Sequence, residues 1–113
     1  YHAASQAYQA ALVIAPDHLN ARNNLGNIYL RRRELGLAIA AYRAVLQRDP
    51  EYARAHHNLG NAYVLQGQQV LAVAAFEKAV AIDPDYRKAR QMLAQLYRRQ
   101  GRTAEADAIE VVQ

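Results

Sequence analysis

The stretch Asn24-Leu25-Gly26-Asn27-Ile28-Tyr29 returns as Asn58-Leu59-Gly60-Asn61-Ala62-Tyr63, 34 residues further along the chain. The same step carries Ala38 to Ala72, Tyr42 to Phe76 and Pro50 to Pro84. It also runs backward from Pro50 to Pro16 and from Tyr42 to Tyr8, and forward from Tyr63 to Tyr97. A fixed period of this size means stacked copies of one supersecondary unit, each too small to bury its own apolar face. Function in such an array belongs to an extended surface rather than to a pocket.

Within each copy the apolar residues recur at helical spacing: Leu25, Ile28 and Tyr29 in one segment, Ala38, Ile39, Tyr42, Val45 and Leu46 in the next. The pattern predicts seven helices, near 2–14, 18–32, 36–48, 52–66, 70–82, 86–100 and 103–112. Ala15-Pro16, Asp49-Pro50 and Asp83-Pro84 end helices, because a residue before proline is pushed out of the helical region. Gly67 and Gly101 stand between paired helices, where a tight turn favours a residue tolerant of positive φ. Arg33 takes that place in the first full copy, with Gly36 displaced downstream, so a turn of different shape is expected there.

Each unit reads Leu-Gly, then Tyr three residues later, then Ala-x-x-x-aromatic, then Asp-Pro. That order resembles the tetratricopeptide repeat (TPR), with Leu25-Gly26, Tyr29, Ala38, Tyr42 and Pro50 in one copy and Leu59-Gly60, Tyr63, Ala72, Phe76 and Pro84 in the next. The chain departs from the family pattern at three places. Arg22, His56 and Arg90 replace an aromatic, Ala94 replaces the glycine, and Glu110 replaces the last aromatic. The resemblance covers essentially the whole chain. It implies an all-α solenoid of antiparallel helix pairs, coiled as a right-handed superhelix of about seven helices. Residues 1–18 would supply the second helix of a partial repeat, 19–52 and 53–86 two full repeats, and 87–113 a partial or terminal one. In the family's geometry Gly26 and Gly60 face Ala38 and Ala72, with Tyr29, Tyr42, Tyr63 and Phe76 filling the surrounding core.

At 113 residues, 52% hydrophobic and 21% charged, the chain is one folded domain rather than a disordered segment. It has no cysteine, which excludes disulfides and thiolate metal sites. No apolar run approaches the ~20 residues of a membrane span, and with no targeting segment in view a cytoplasmic location is favoured. The chain begins at Tyr1 rather than Met, which reads as a fragment of a longer protein or a processed chain.

An enzyme is disfavoured by inventory. Ser5 and Thr103 are the only hydroxyl nucleophiles of their kind, and neither has a placed His-acid partner. Asp17, Asp49, Asp83 and Asp85 fall at turns between repeats, where capping and turn formation explain them better than paired acid-base chemistry. His56 and His57 are adjacent, about 100° apart on a helix, so they cannot chelate one metal from one face. No metal or cofactor is expected. His56 takes a packing position.

The resemblance implies that the first helix of each pair lines a concave face and that asparagines there hold the backbone of an extended peptide. Asn24, Asn27, Asn58 and Asn61 occupy those places, and an amide suits the task because it offers both a donor and an acceptor. The rival expectation is that these amides bond to a neighbouring repeat and serve the fold. His57, Arg54, Lys88, Gln95, Arg98 and Arg99 are expected on the same face. A related clamp for C-terminal carboxylates is incomplete, since Asn23 and Met92 stand where it needs cations. Net charge is +4 with a pI near 9.6, and no acid interrupts Arg87 to Arg102, so an acidic protein or peptide partner is favoured. Nucleic acid is disfavoured: no binding motif is present and the tyrosines belong to the core. The alternative is self-assembly. The helix carrying Ala4, Tyr8 and Ala11 lacks its partner helix, and an open apolar end can pair with another copy.

Overall fold

The structure is a computed structural model and describes residues 18–111. Six helices follow one another in the described residues: α1 (Leu19–Arg31), α2 (Leu35–Arg48), α3 (Ala53–Leu65), α4 (Gln69–Ile82), α5 (Arg87–Arg99) and α6 (Thr103–Val111). They form three antiparallel pairs, α1 with α2, α3 with α4 and α5 with α6, stacked so that α2 packs on α3 and α4 on α5. No strand occurs among the described residues. The array measures 47 × 24 × 18 Å, the elongated outline of a solenoid. The expected helix near 2–14 lies outside the described residues.

The hairpin turns share one shape. Arg33, Gly67 and Gly101 have φ of 62°, 77° and 75°. At each, the next residue's N–H returns to a carbonyl five positions earlier: Glu34 to Tyr29, Gln68 to Tyr63 and Arg102 to Tyr97, at 2.9, 2.9 and 2.8 Å. This is the left-handed helix cap that glycine favours. The different turn expected at Arg33 does not form. Gly36 takes no part, and Arg33 itself adopts the left-handed conformation at the cost a Cβ imposes there.

Between repeats the chain turns at Asp49 and Asp83, both extended as residues before proline must be. Their Oδ1 atoms accept the N–H of Glu51 and Asp85 at 3.0 and 3.1 Å, which is turn formation. None of α1 to α5 has a side-chain cap at its N-terminus.

The core is a continuous strip of small and aromatic residues. Ala38, Ala72 and Ala106, each a repeat apart, are fully buried, as are Tyr42 and Phe76. A Cβ on Gly26 would lie 2.5 Å from the Tyr42 ring, and one on Gly60 would lie 2.8 Å from Phe76. The nearest neighbours of the two glycines are therefore the aromatic rings one turn beyond Ala38 and Ala72. Side chains on a helix lean toward its N-terminus, so a ring at 42 covers the turn that carries residue 38.

Each inter-repeat joint is closed by a tyrosine hydroxyl. Arg43 on α2 donates to Tyr63 on α3 at 2.6 Å, and Tyr97 on α5 donates to Glu77 on α4 at 2.6 Å. Burial, and then the bond to Glu77, push the Tyr97 phenol up to about 12, so it stays a donor at ordinary pH.

Candidate functional site

The first helices of the pairs, α1, α3 and α5, carry all the residues expected to contact a ligand. No Asp or Glu occurs on any of the three. Their register aligns Asn20, Arg54 and Lys88 in one row and Asn27, Asn61 and Gln95 in another. Asn24, Arg54, Lys88, Gln95, Arg98 and Arg99 are exposed, whereas Asn27, Asn58 and Asn61 are half-buried.

The half-buried amides are partly used by the fold. Asn27 Oδ1 accepts the Tyr42 hydroxyl at 2.6 Å, a proton that burial holds on the phenol far above its ordinary range. Asn58 Nδ2 donates to Oδ1 of the buried Asn23 at 3.1 Å, joining α3 to α1. Asn61 Nδ2 lies 3.3 Å from His57 Nε2. Each of these contacts engages one atom of the amide. Asn24 forms no hydrogen bond among the described residues.

The basic residues divide in the same way. Arg98 is paired with Glu110, one contact at 3.0 Å, and with Asp107 at 3.3 Å, so its charge is answered from α6. It does not extend the attraction expected of it. Arg54 donates to Asn20 Oδ1 and to the Tyr52 hydroxyl, both at 2.7 Å, and lies 5.3 Å over the Tyr52 ring. Tyr52 also donates to Asn20, so an Asn-Tyr-Arg cluster ties the starts of α1 and α3. Lys88 and Arg99 remain exposed with no carboxylate paired to them among the described residues. Asn20 and Tyr52 were missed in the sequence, although Tyr52 and Tyr86 stand one repeat apart. Those two tyrosines, with Asp49, Glu51, Ala53, Arg54 and Asp83, line a shallow cleft of about 360 Å³ at the inter-repeat turns.

His57 is not on the open face. It is 8% exposed, its ring 5.5 Å from Phe76 and 4.9 Å from Tyr86, which covers it from the start of α5. His56 is half-buried and places Nε2 2.9 Å from the Pro50 carbonyl oxygen. Nδ1 of His57 is buried without a hydrogen-bond partner among the described residues, and Lys88 is the charge that bears on the ring. Burial first, then Lys88, lower its pKa below 6.5. A base whose folded pKa is depressed is neutral in the folded state and must charge as the pH falls. Its contribution is whole above 6.5 and is lost as the pH drops from there toward the lowered folded value. His57→Phe should therefore flatten the fall in urea midpoint between neutral and mildly acid pH. An unchanged slope would place the acid sensitivity elsewhere.

Among the described residues no group of three or more His, Asp or Glu is placed to hold a metal ion. No described helix is long and apolar enough to cross a membrane. Ala4, Tyr8 and Ala11, expected at a self-association face, lie outside the described residues.

Family models described as tetratricopeptide repeat match residues 1–51, 29–87 and 70–109. Among solved structures, a crystal structure of MamA is 24% identical with a TM-score of 0.83, covering 93% of this chain and 61% of its own. A MamA segment from Desulfovibrio magneticus RS-1 is 29% identical with a TM-score of 0.83, over 96% of this chain and 62% of its own. The O-GlcNAc transferase of Thermobaculum terrenum, in mutant form, is 32% identical with a TM-score of 0.77, over 82% of this chain and 18% of its own. The chain thus spans about three fifths of the MamA structures that it matches. No curated protein matches it.

Proposed function

Because this chain belongs to the tetratricopeptide repeat family, we propose that it is a protein-interaction scaffold whose first helices receive an acidic segment of a partner, extended or helical. One observation carries the reading: α1, α3 and α5 hold no carboxylate, while Lys88 and Arg99 are exposed along them and paired with no carboxylate among the described residues. A face free of acids repels no anionic partner and raises its local concentration. Asn24 and Gln95 supply exposed amides for the partner's backbone, and the unused amide atoms of Asn27, Asn58 and Asn61 add further points of contact. The rigid helix pairs fix these groups before binding, so little ordering is required of the receiver. The activity is binding without chemistry.

The test compares a set of acidic peptides with their Gln/Asn counterparts by fluorescence anisotropy. Acidic peptides should bind at least tenfold more tightly, and Lys88→Glu with Arg99→Glu should erase about tenfold of that preference, roughly 1.4 kcal/mol. Asn24→Ala should weaken acidic and neutral peptides alike. Equal affinity for both peptide sets would sink the proposal.

A further inference from the structure

The edge formed by the hairpin turns adjoins the face just described, which reaches it at Arg99, and its composition changes abruptly at the middle repeat. Among the described residues, the four large apolar side chains that stand exposed all belong to it: Leu37 at 51%, Leu65 at 45%, Val70 at 76% and Leu71 at 42%. Leu65, Val70 and Leu71 come from the α3–α4 hairpin, whose intervening residues Gln66, Gly67, Gln68 and Gln69 carry no charge. Leu37, in the first turn of α2, holds the same register position as Leu71 one repeat on. In the third pair those positions are Arg99, Ala104 and Glu105, so the patch is particular to the centre of the edge.

Arginines flank it on both sides. Arg31 and Arg33 stand at the α1–α2 turn and Arg99 at the α5–α6 turn, all exposed and none paired with a carboxylate among the described residues. The acids of the same turns are consumed locally: Glu34 pairs with Arg32 at 2.7 Å and Glu105 with Arg102 at 2.6 Å. The edge therefore presents protruding apolar side chains within a positive rim.

From this we infer that the hairpin edge docks onto an anionic lipid surface, with Leu37, Leu65, Val70 and Leu71 entering the interface and Arg31, Arg33 and Arg99 meeting headgroup phosphates. Apolar insertion and electrostatic attraction to anionic lipid together are what peripheral binding requires. Exposed apolar side chains beside cations whose neighbouring carboxylates are already paired match a surface that is apolar beneath and anionic at its headgroups. A two-fold contact with a second copy would set these arginines against their own counterparts. Residues 1–17 carry a single acid, Asp17, and so offer little negative complement of their own.

Flotation of the 113-residue chain with vesicles tests the inference. The chain should rise with phosphatidylcholine vesicles containing phosphatidylglycerol and not with phosphatidylcholine alone, and added salt should weaken the association. Val70→Glu with Leu71→Glu should lower the bound fraction at least tenfold, and Arg31→Gln with Arg33→Gln by a smaller factor. All four side chains are exposed, so far-ultraviolet circular dichroism and melting should stay as in the parent. No association with anionic vesicles, or association indifferent to the Val70 and Leu71 changes, would overturn it. So would a concentration-dependent dimer that those two changes abolish, since the patch would then be an interface between copies.

Discussion

Phe76→Ala is expected to cost about 3–5 kcal/mol of stability, the range for deleting a fully buried aromatic ring. The ring has no exposure, meets Gly60 of α3 with its far edge, and lies tilted 60° to His57 at 5.5 Å. It thus joins the two helices of the central repeat and supports the histidine on which Tyr86, just before α5, rests. A loss of this size is a large part of the 5–15 kcal/mol that holds an ordinary domain folded. Urea unfolding followed by circular dichroism measures it. A loss below about 1 kcal/mol would mean that the neighbours collapse into the vacated space, contrary to the close packing seen around the ring.

Gly60→Ala attacks the same contact from the other side and should cost about 2–3 kcal/mol, near the upper end for one added methyl group in a packed core. Its Cβ would stand 2.8 Å from three ring atoms of Phe76, closer than packed carbon atoms approach. The ring cannot retreat, because it is buried on every side. Phe76→Leu in the same chain should restore part of the loss, whereas each change alone is harmful; this coupling is what a double-mutant cycle reads. Additive losses would show that the glycine is needed for another reason. The third pair already carries the compensated combination. Ala94 stands in the glycine's place and is fully buried, while Glu110 stands where the ring would be and turns outward to Arg98.

Much of this is legible in the amino-acid sequence. The 34-residue period, the two Asp-Pro turns and the Leu-Gly and Ala-x-x-x-aromatic spacings locate all six described helices to within a residue or two. These signals are local, and helical periodicity with proline punctuation states them directly. What stayed hidden depends on contacts between elements. The family resemblance put His57 on the open face, but Tyr86, 29 residues later, lies over it. Register likewise left Arg98 available, whereas Glu110 and Asp107 reach it from the following helix. The nearest neighbour of Gly26 is also set by tertiary packing, since a ring one turn beyond Ala38 leans back across it. Arg33 is a different case. Its place in the sequence was recognised, yet the turn's two backbone hydrogen bonds hold even a residue with a Cβ to the shape that glycine adopts elsewhere.

The tyrosines that close the joints have an evolutionary consequence. A phenolic oxygen can both give and receive a hydrogen bond. Tyr63 receives one from Arg43, and Tyr97 gives one to Glu77, although Arg43 and Glu77 occupy equivalent places in successive repeats. A position that faces such a hydroxyl can change from cation to anion, and the joint survives by reversing the direction of its bond. Sequence drift can thus rewrite the charge of the outer surface, repeat by repeat, with no compensating change on the neighbouring helix. A chain assembled this way can acquire new surface character without renegotiating how its units stack.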